Sequence, residues 1–232
     1  MIRHEAACIR RRLDGLESVC VTRNAVAAPI GEADLENIDG VIIGGSGDFS
    51  VHHPLSARFV NPLLRTLDTV AAKHLPTFAI CFGHQLIGKW LGSEVVTDPQ
   101  RAELGTVEVS KTVDGKDNPV LRNFESEFAV HSGHSDWVVE VPEGCTLLLK
   151  NERVNTQAFV VRDLPFMSVQ FHPDMTGEEA RARLLAYHEG FSDRIATNAE
   201  TFASRFSVGR DESASLIGAF FSFHGWSDSA KQ

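Results

Sequence analysis

Thr77-Phe-Ala-Ile-Cys-Phe-Gly-His-Gln-Leu-Ile-Gly-Lys-Trp-Leu91 decides the fold. Its first residues form an apolar run too short for a core helix, which suits a strand buried on both faces of a parallel sheet. From Gly83 the pattern turns helical. Cys81 therefore sits on a sharp strand-to-helix turn, held out from the sheet edge. Backbone N–H groups at the helix start can lower the pKa of a thiol there and receive an oxyanion. Gly83 permits a close approach that a side chain would block.

Working outward, Ile38-Asp-Gly-Val-Ile-Ile-Gly-Gly45 is a second continuous apolar run that ends in glycines, again a buried strand. Between the two, Pro54–Lys73 reads as a long amphipathic helix. Upstream, Ala6, Ile9 and Leu13 have helical spacing, so Met1–Leu13 is expected to be helical, and Glu17–Thr22 a short strand. Downstream the pattern becomes β-rich: Gly105–Lys111, Glu127–His131, Cys145–Leu149, Ala158–Val161 and Phe166–Phe171. Turn-forming clusters at Val113–Pro119 and Pro142–Gly144 separate them. Thr176-Gly-Glu-Glu179 has the form of a capping box and opens a helical region. Alternating strands and helices followed by β pieces predict a single α/β domain over 1–232, an open and mostly parallel sheet flanked by helices with a small added β layer. Its core spans about 5–190, with a helical extension over about 191–232. In that extension Leu216, Ile217, Phe220 and Phe221 suit a docking helix, packed on its own domain or, as the sharper alternative, in a homodimer contact.

Composition narrows the function. The chain has 232 residues, 43% of them hydrophobic, and a formal charge of −9. That balance excludes a nucleic-acid binder, which needs clustered Lys and Arg. Arg10-Arg11-Arg12 is the one basic run and reads as a solvated helix face. Cys8, Cys20, Cys81 and Cys145 have no CxxC pairing, and they fit neither a disulfide framework nor a zinc site. The most apolar segments fall far short of the roughly 20 residues that cross a bilayer. A cytoplasmic protein without cofactor or metal is expected.

A catalytic thiol needs a base, and the base an orienting group. Phe166-Met-Ser-Val-Gln-Phe-His-Pro-Asp174 supplies both. A buried strand delivers His172 to the carboxyl edge of the sheet, where ligands bind in open α/β folds. Asp174 can accept the other imidazole N–H. The remaining histidines are better read as surface or packing residues, except His131 and His134 in the polar cluster Val130-His-Ser-Gly-His-Ser-Asp136.

Together these motifs resemble the class I (triad) glutamine amidotransferases. The family's Gly-x-Cys-x-Gly-x-Gln is similar to Ala79-Ile-Cys-Phe-Gly-His-Gln85, and its His-Pro-Glu to His172-Pro-Asp174. A glycine-rich oxyanion loop corresponds to Gly44-Gly-Ser-Gly-Asp-Phe-Ser50, and the stretch from His131 to Gly144 resembles the GMP synthetase-like subgroup. The resemblance implies a stand-alone glutaminase domain in which Cys81, His172 and Asp174 form the triad. It places oxyanion donors near Gly45 and at Phe82, and a glutamine pocket at Gln85, Gly133 and His134. Ammonia would pass to a separate synthetase partner or be released. Ala79 replaces the family's glycine, Asp174 its glutamate, and no apolar strand precedes the first helix. An open apolar slot in the sheet and a gain in stability on N-terminal extension are therefore expected. Two other functions fit the residues: a γ-glutamyl peptidase with the same thioester, and a catalytically weak binding protein on the same fold.

Overall fold

Alternate side chains of the strand before Cys81 point to opposite faces of a sheet, and both faces are covered by helices. Phe78 and Ile80 join one apolar cluster, and Ala79 joins the other. That is the period-two geometry of a strand with no solvent face. The computed structural model describes residues 2–14, 16, 19–190 and 199–226. In chain order the elements are α1 (Ile2–Arg12), β1 (Val41–Ile43), α2 (Ala57–Ala72), β2 (Thr77–Ile80), α3 (Phe82–Trp90), β3 (Val95–Thr97), β4 (Glu103–Lys111) and α4 (Val113–Asp117). They continue with β5 (Glu127–His134), β6 (Asp136–Val138), β7 (Cys145–Lys150), β8 (Ala158–Val161), β9 (Phe166–Val169), α5 (Gly177–Gly190), α6 (Ala199–Ala203) and α7 (Leu216–Phe223).

The main sheet has the order β1-β2-β9-β8-β7-β4-β5. Strands β1, β2 and β9 run parallel, and the rest of the sheet continues antiparallel as a long arm. The added layer is a separate two-stranded ladder, β3 with β6. These two strands have three residues each, too few to show an alternation in sequence. On one face of the sheet Ile9 and Leu13 of α1 pack with Leu216, Ile217, Phe220 and Phe221 of α7. The C-terminal helix thus lies on its own domain, each of its four buried side chains contributing roughly 1.5–3 kcal/mol. On the other face α2 and α3 bring Phe59, Leu67, Leu86 and Ile87 against Phe159 and Phe166.

Three local expectations change. Val19–Thr22 of the short strand expected over Glu17–Thr22 is irregular chain (Glu17 and Ser18 lie outside the described residues). No strand among the described residues covers the outer edge of β1, and the 19–22 segment forms no ladder with it. The slot beside β1 is a cavity of about 1990 Å³, lined by Ile9 and Leu13, the 19–26 segment, Phe221 and Trp226. Val113–Asp117, read as a turn, is a short helix because the Thr112 hydroxyl accepts the Gly115 N–H at 3.0 Å. Arg12, expected on a solvated face, turns inward and donates to the Asp174 carbonyl at 3.3 Å.

Candidate active site

Cys81 caps the start of α3 with φ 51° and ψ −100°. A side chain rarely adopts a positive φ, and such strain persists only where the surroundings enforce it. Here they do. The Cys81 N–H donates to Val169 O at 2.8 Å, which locks the turn to β9. On the far side, a Cβ at Gly83 would lie 2.5 Å from the Ile43 carbonyl oxygen, so only glycine lets α3 start against β1. The Phe82 N–H is the first of the helix and lies outside its internal ladder. Ala79 is fully buried in β2, its extra methyl absorbed in the α2–α3 face.

Beyond the end of β9 the backbone N–H of His172 donates to His131 O at 2.8 Å, which fixes the histidine to β5. Its Nδ1 lies 3.0 Å from Asp174 Oδ1. The shorter aspartate therefore reaches the ring. The opposite ring edge faces the turn: the site of a Cβ on Gly45 is 3.4 Å from His172 Nε2 and 3.6 Å from Cys81 Cβ. Thiol and imidazole are 4% and 7% exposed, so they meet largely out of water. Burial alone would lower the basicity of His172. The Asp174 charge and the Cys81 sulfur outweigh it and push the imidazole up to about 10. Burial likewise opposes ionisation of Asp174, but His172 and Arg183 hold its carboxyl down at about 2. Such a pair favours an ionised imidazole beside the sulfur.

Asp174 has a second anchor. Arg183 on α5 donates through Nη2 to Asp174 Oδ2 at 3.2 Å, with the arginine side chain 11% exposed. The start of α5 is held by the Thr176–Glu179 capping box. Thr176 Oγ1 accepts the Glu179 N–H, and Glu179 Oε2 accepts the Thr176 N–H. Glu179 also pairs with Arg11 of α1. Arg183 carries no sequence signal of its own, because its partner is set by how α5 packs.

The loop after β1 brings Gly45 to the site but not with a free donor. Its N–H donates to Glu5 Oε1 at 2.7 Å, and the Glu5 carboxyl covers Gly44 so closely that a Cβ there would meet it at 2.6 Å. Burial, then the neighbouring Asp174, raises the Glu5 carboxyl above the usual carboxylate range.

Gln85 is buried, and its Nε2 donates to Asp136 O at 2.9 Å and to Gln170 Oε1 at 3.3 Å. Gln170 in turn donates to Cys81 Sγ at 3.7 Å. His134 is held at both nitrogens, by Asp136 O at 3.0 Å and by Glu103 Oε2 at 3.1 Å. Gln157 and Asn151 donate to the same Glu103 carboxylate. The exposed part of the Gly133–His134 pair is the Gly133 backbone. Glu103 and Arg183 stand in no motif that the sequence displays, and Gln170 lies inside the Phe166–Asp174 stretch without a role read from it.

Over this geometry, the glutamine amidotransferase class-I family model matches residues 7–188. The chain belongs to the class-I glutamine amidotransferases. Membership brings glutamine hydrolysis by a cysteine nucleophile, and in this amidotransferase the aspartate that replaces the family's glutamate still reaches its histidine. Among its relatives is a glutamine-hydrolyzing GMP synthase subunit of Sulfolobus acidocaldarius, 33% identical over 165 residues, 71% of this chain and 80% of the relative. Gamma-glutamyl peptidase 3 of Arabidopsis thaliana is 28% identical over 182 residues, 73% of this chain and 70% of the relative. In fold the amidotransferase is similar to a glutamine amidotransferase from Thermotoga maritima, with a TM-score of 0.68, 21% identity, and coverage of 82% of this chain and 79% of that one. No helix among its described residues is long and apolar enough to cross a membrane.

Proposed function

We propose that Cys81 attacks the side-chain amide carbon of glutamine while His172 and Asp174 manage the protons. The sulfur forms a bond to carbon as the carbonyl electrons move to oxygen, where the Phe82 N–H and a released Gly45 N–H receive them. Collapse breaks the C–N bond, and His172 gives its proton to the departing ammonia. The resulting γ-glutamyl thioester is hydrolysed by a water that His172 deprotonates, which yields glutamate and restores the thiol. Asp174 keeps the imidazole oriented and stabilises its charge. The observation that carries this assignment is the His172–Asp174 contact at 3.0 Å, with the other edge of the ring turned toward Cys81.

Glutamine and γ-glutamyl dipeptides, incubated separately with the wild type and with Cys81→Ala, test it. Ammonia release from glutamine that Cys81→Ala lowers by at least about 10⁴-fold is the expected result. Retained release in Cys81→Ala overturns the assignment. The similarity to a peptidase supports a second function, hydrolysis of larger γ-glutamyl conjugates; release of amine from dipeptides with none of ammonia from glutamine would establish it. The relatives named as synthase subunits support a fate for the ammonia, with the acceptor supplied by a separate synthetase chain. Four free cysteines, one of them the nucleophile, fit a reducing, cytoplasmic setting.

A further inference from the structure

Cys81 Sγ has a hydrogen-bond donor besides His172, and the direction of that donor is fixed by a chain of contacts. Asp136 O is a backbone carbonyl and can only accept, so the Gln85 atom 2.9 Å from it is the amide nitrogen. That same nitrogen faces Gln170 at 3.3 Å, so the Gln170 atom it meets is the carbonyl oxygen. The other end of the Gln170 amide is then its NH₂, and it points at the sulfur at 3.7 Å. Gln170 is fully buried and Gln85 is 3% exposed, so neither amide can exchange its partner for water.

We propose that Gln170 is a catalytic residue of this amidotransferase: its side-chain N–H holds the Cys81 sulfur and stabilises its charge, and Gln85 sets the direction of that N–H. The inference rests on Cys81 as the nucleophile and adds a donor that the triad does not contain. A buried N–H aimed at a developing or resting anion favours the charged form. The same contact holds Sγ in position before the attack, while the imidazole keeps the proton it will give to the leaving ammonia. It also extends to Asp136, which adjoins the exposed Gly133 segment, so a change there on substrate binding reaches the sulfur through two amides.

Alkylation of Cys81 by iodoacetamide across a range of pH, followed beside the melting temperature, tests the inference. Subtraction of the Cys81→Ala profile isolates this thiol. In Gln170→Leu the midpoint of the alkylation profile should rise by about one pH unit and kcat fall about tenfold, with KM little changed. Gln170→Glu is isosteric and turns a carboxylate toward the sulfur, so its midpoint should rise further. Gln85→Leu frees the Gln170 amide to turn and should give a smaller rise. Unchanged midpoints in both Gln170 variants at native melting temperature would overturn the proposal. A measurement without these variants keeps it exposed if they misfold. The side-chain NH₂ signal of Gln170 should titrate with Cys81 in the wild type and lose that step in Cys81→Ala; a signal that ignores Cys81 sinks the proposal. A Cys81 that alkylates no faster than buried Cys145 at any pH would sink the nucleophile itself, an outcome separate from a reactive Cys81 with an unmoved midpoint.

Discussion

His172 lies beyond the end of β9 and His134 at the end of β5, each with a carboxylate on one ring nitrogen, yet their second nitrogens differ. His134 is closed on both sides, by Glu103 and by the Asp136 carbonyl. His172 has Asp174 on one side and the turn at Cys81 on the other. The chemistry available to an imidazole is set by the nitrogen left over after its structural partner is counted. His134 has none left, and it joins Glu103 to the sheet; His172 has one, and it can move a proton.

The sharpest way to break this contrast is to remove each ring in turn. His172→Gln should lower kcat for glutamine hydrolysis by about 10³–10⁴-fold and also lower the melting temperature, because buried Asp174 loses its charged partner. His134→Gln should leave kcat within about tenfold while costing roughly 1–3 kcal/mol of stability, because buried Glu103 loses a donor. Equal losses of kcat at equal stability would show that the leftover nitrogen is not what separates them. Arg183→Met should come next: it leaves one oxygen of buried Asp174 unpaired, at a cost of about 3–5 kcal/mol by denaturant titration. Arg183→Lys should recover part of both stability and kcat, whereas recovery of stability alone would make Arg183 purely structural.

Glu5 tests the other side of the site. Glu5→Ala frees the Gly45 N–H, and kcat should rise a few-fold, well short of the roughly 10²–10³ that a whole oxyanion donor carries. A fall in kcat in a stable variant would show that Glu5 positions the loop.

The smallest effects concern pH, where His172 contrasts with His84. His172 has a raised pKa, so its contribution to stability is complete below 6.5 and fades as pH rises toward about 10. Burial holds His84 neutral, with its pKa lowered to about 3, so its contribution is complete above 6.5 and fades as pH falls toward that value. Asp174 adds stability above 3.8 that is lost as pH falls toward about 2. The melting temperature should therefore peak near about pH 6.5. His84→Gln should flatten the acid side down to about pH 4 and leave the alkaline side as it was.

The Cys81–His172–Asp174 line was legible because each member sits on a local signal. Cys81 lies at a strand-to-helix turn, His172 at a strand end before a proline, and Asp174 directly after that proline. The short aspartate is a weak point when only the sequence is considered, and its security comes from Arg183, nine residues on and brought back by the packing of α5. Glu5 was invisible for a similar reason: 40 residues separate it from the Gly45 N–H it occupies. In sequence Gln170 is one more buried position beyond the end of β9; only Gln85 and Asp136 fix which end of its amide meets sulfur. The three-residue β3 and β6 offered no period to detect, and Val19–Thr22 has strand composition but forms no ladder among the described residues.

The contact between Gly83 and the Ile43 carbonyl has a bearing on mutational tolerance. A Cβ at position 83 would press on backbone, which cannot swing aside as a side-chain tip could. In a saturation library this position should return glycine alone among active variants, while Ala79, two residues ahead of Cys81, already stands where the family's motif has glycine. Two small residues flanking one cysteine would thus record different histories, one free to drift by a methyl and the other fixed by a carbonyl on the neighbouring strand.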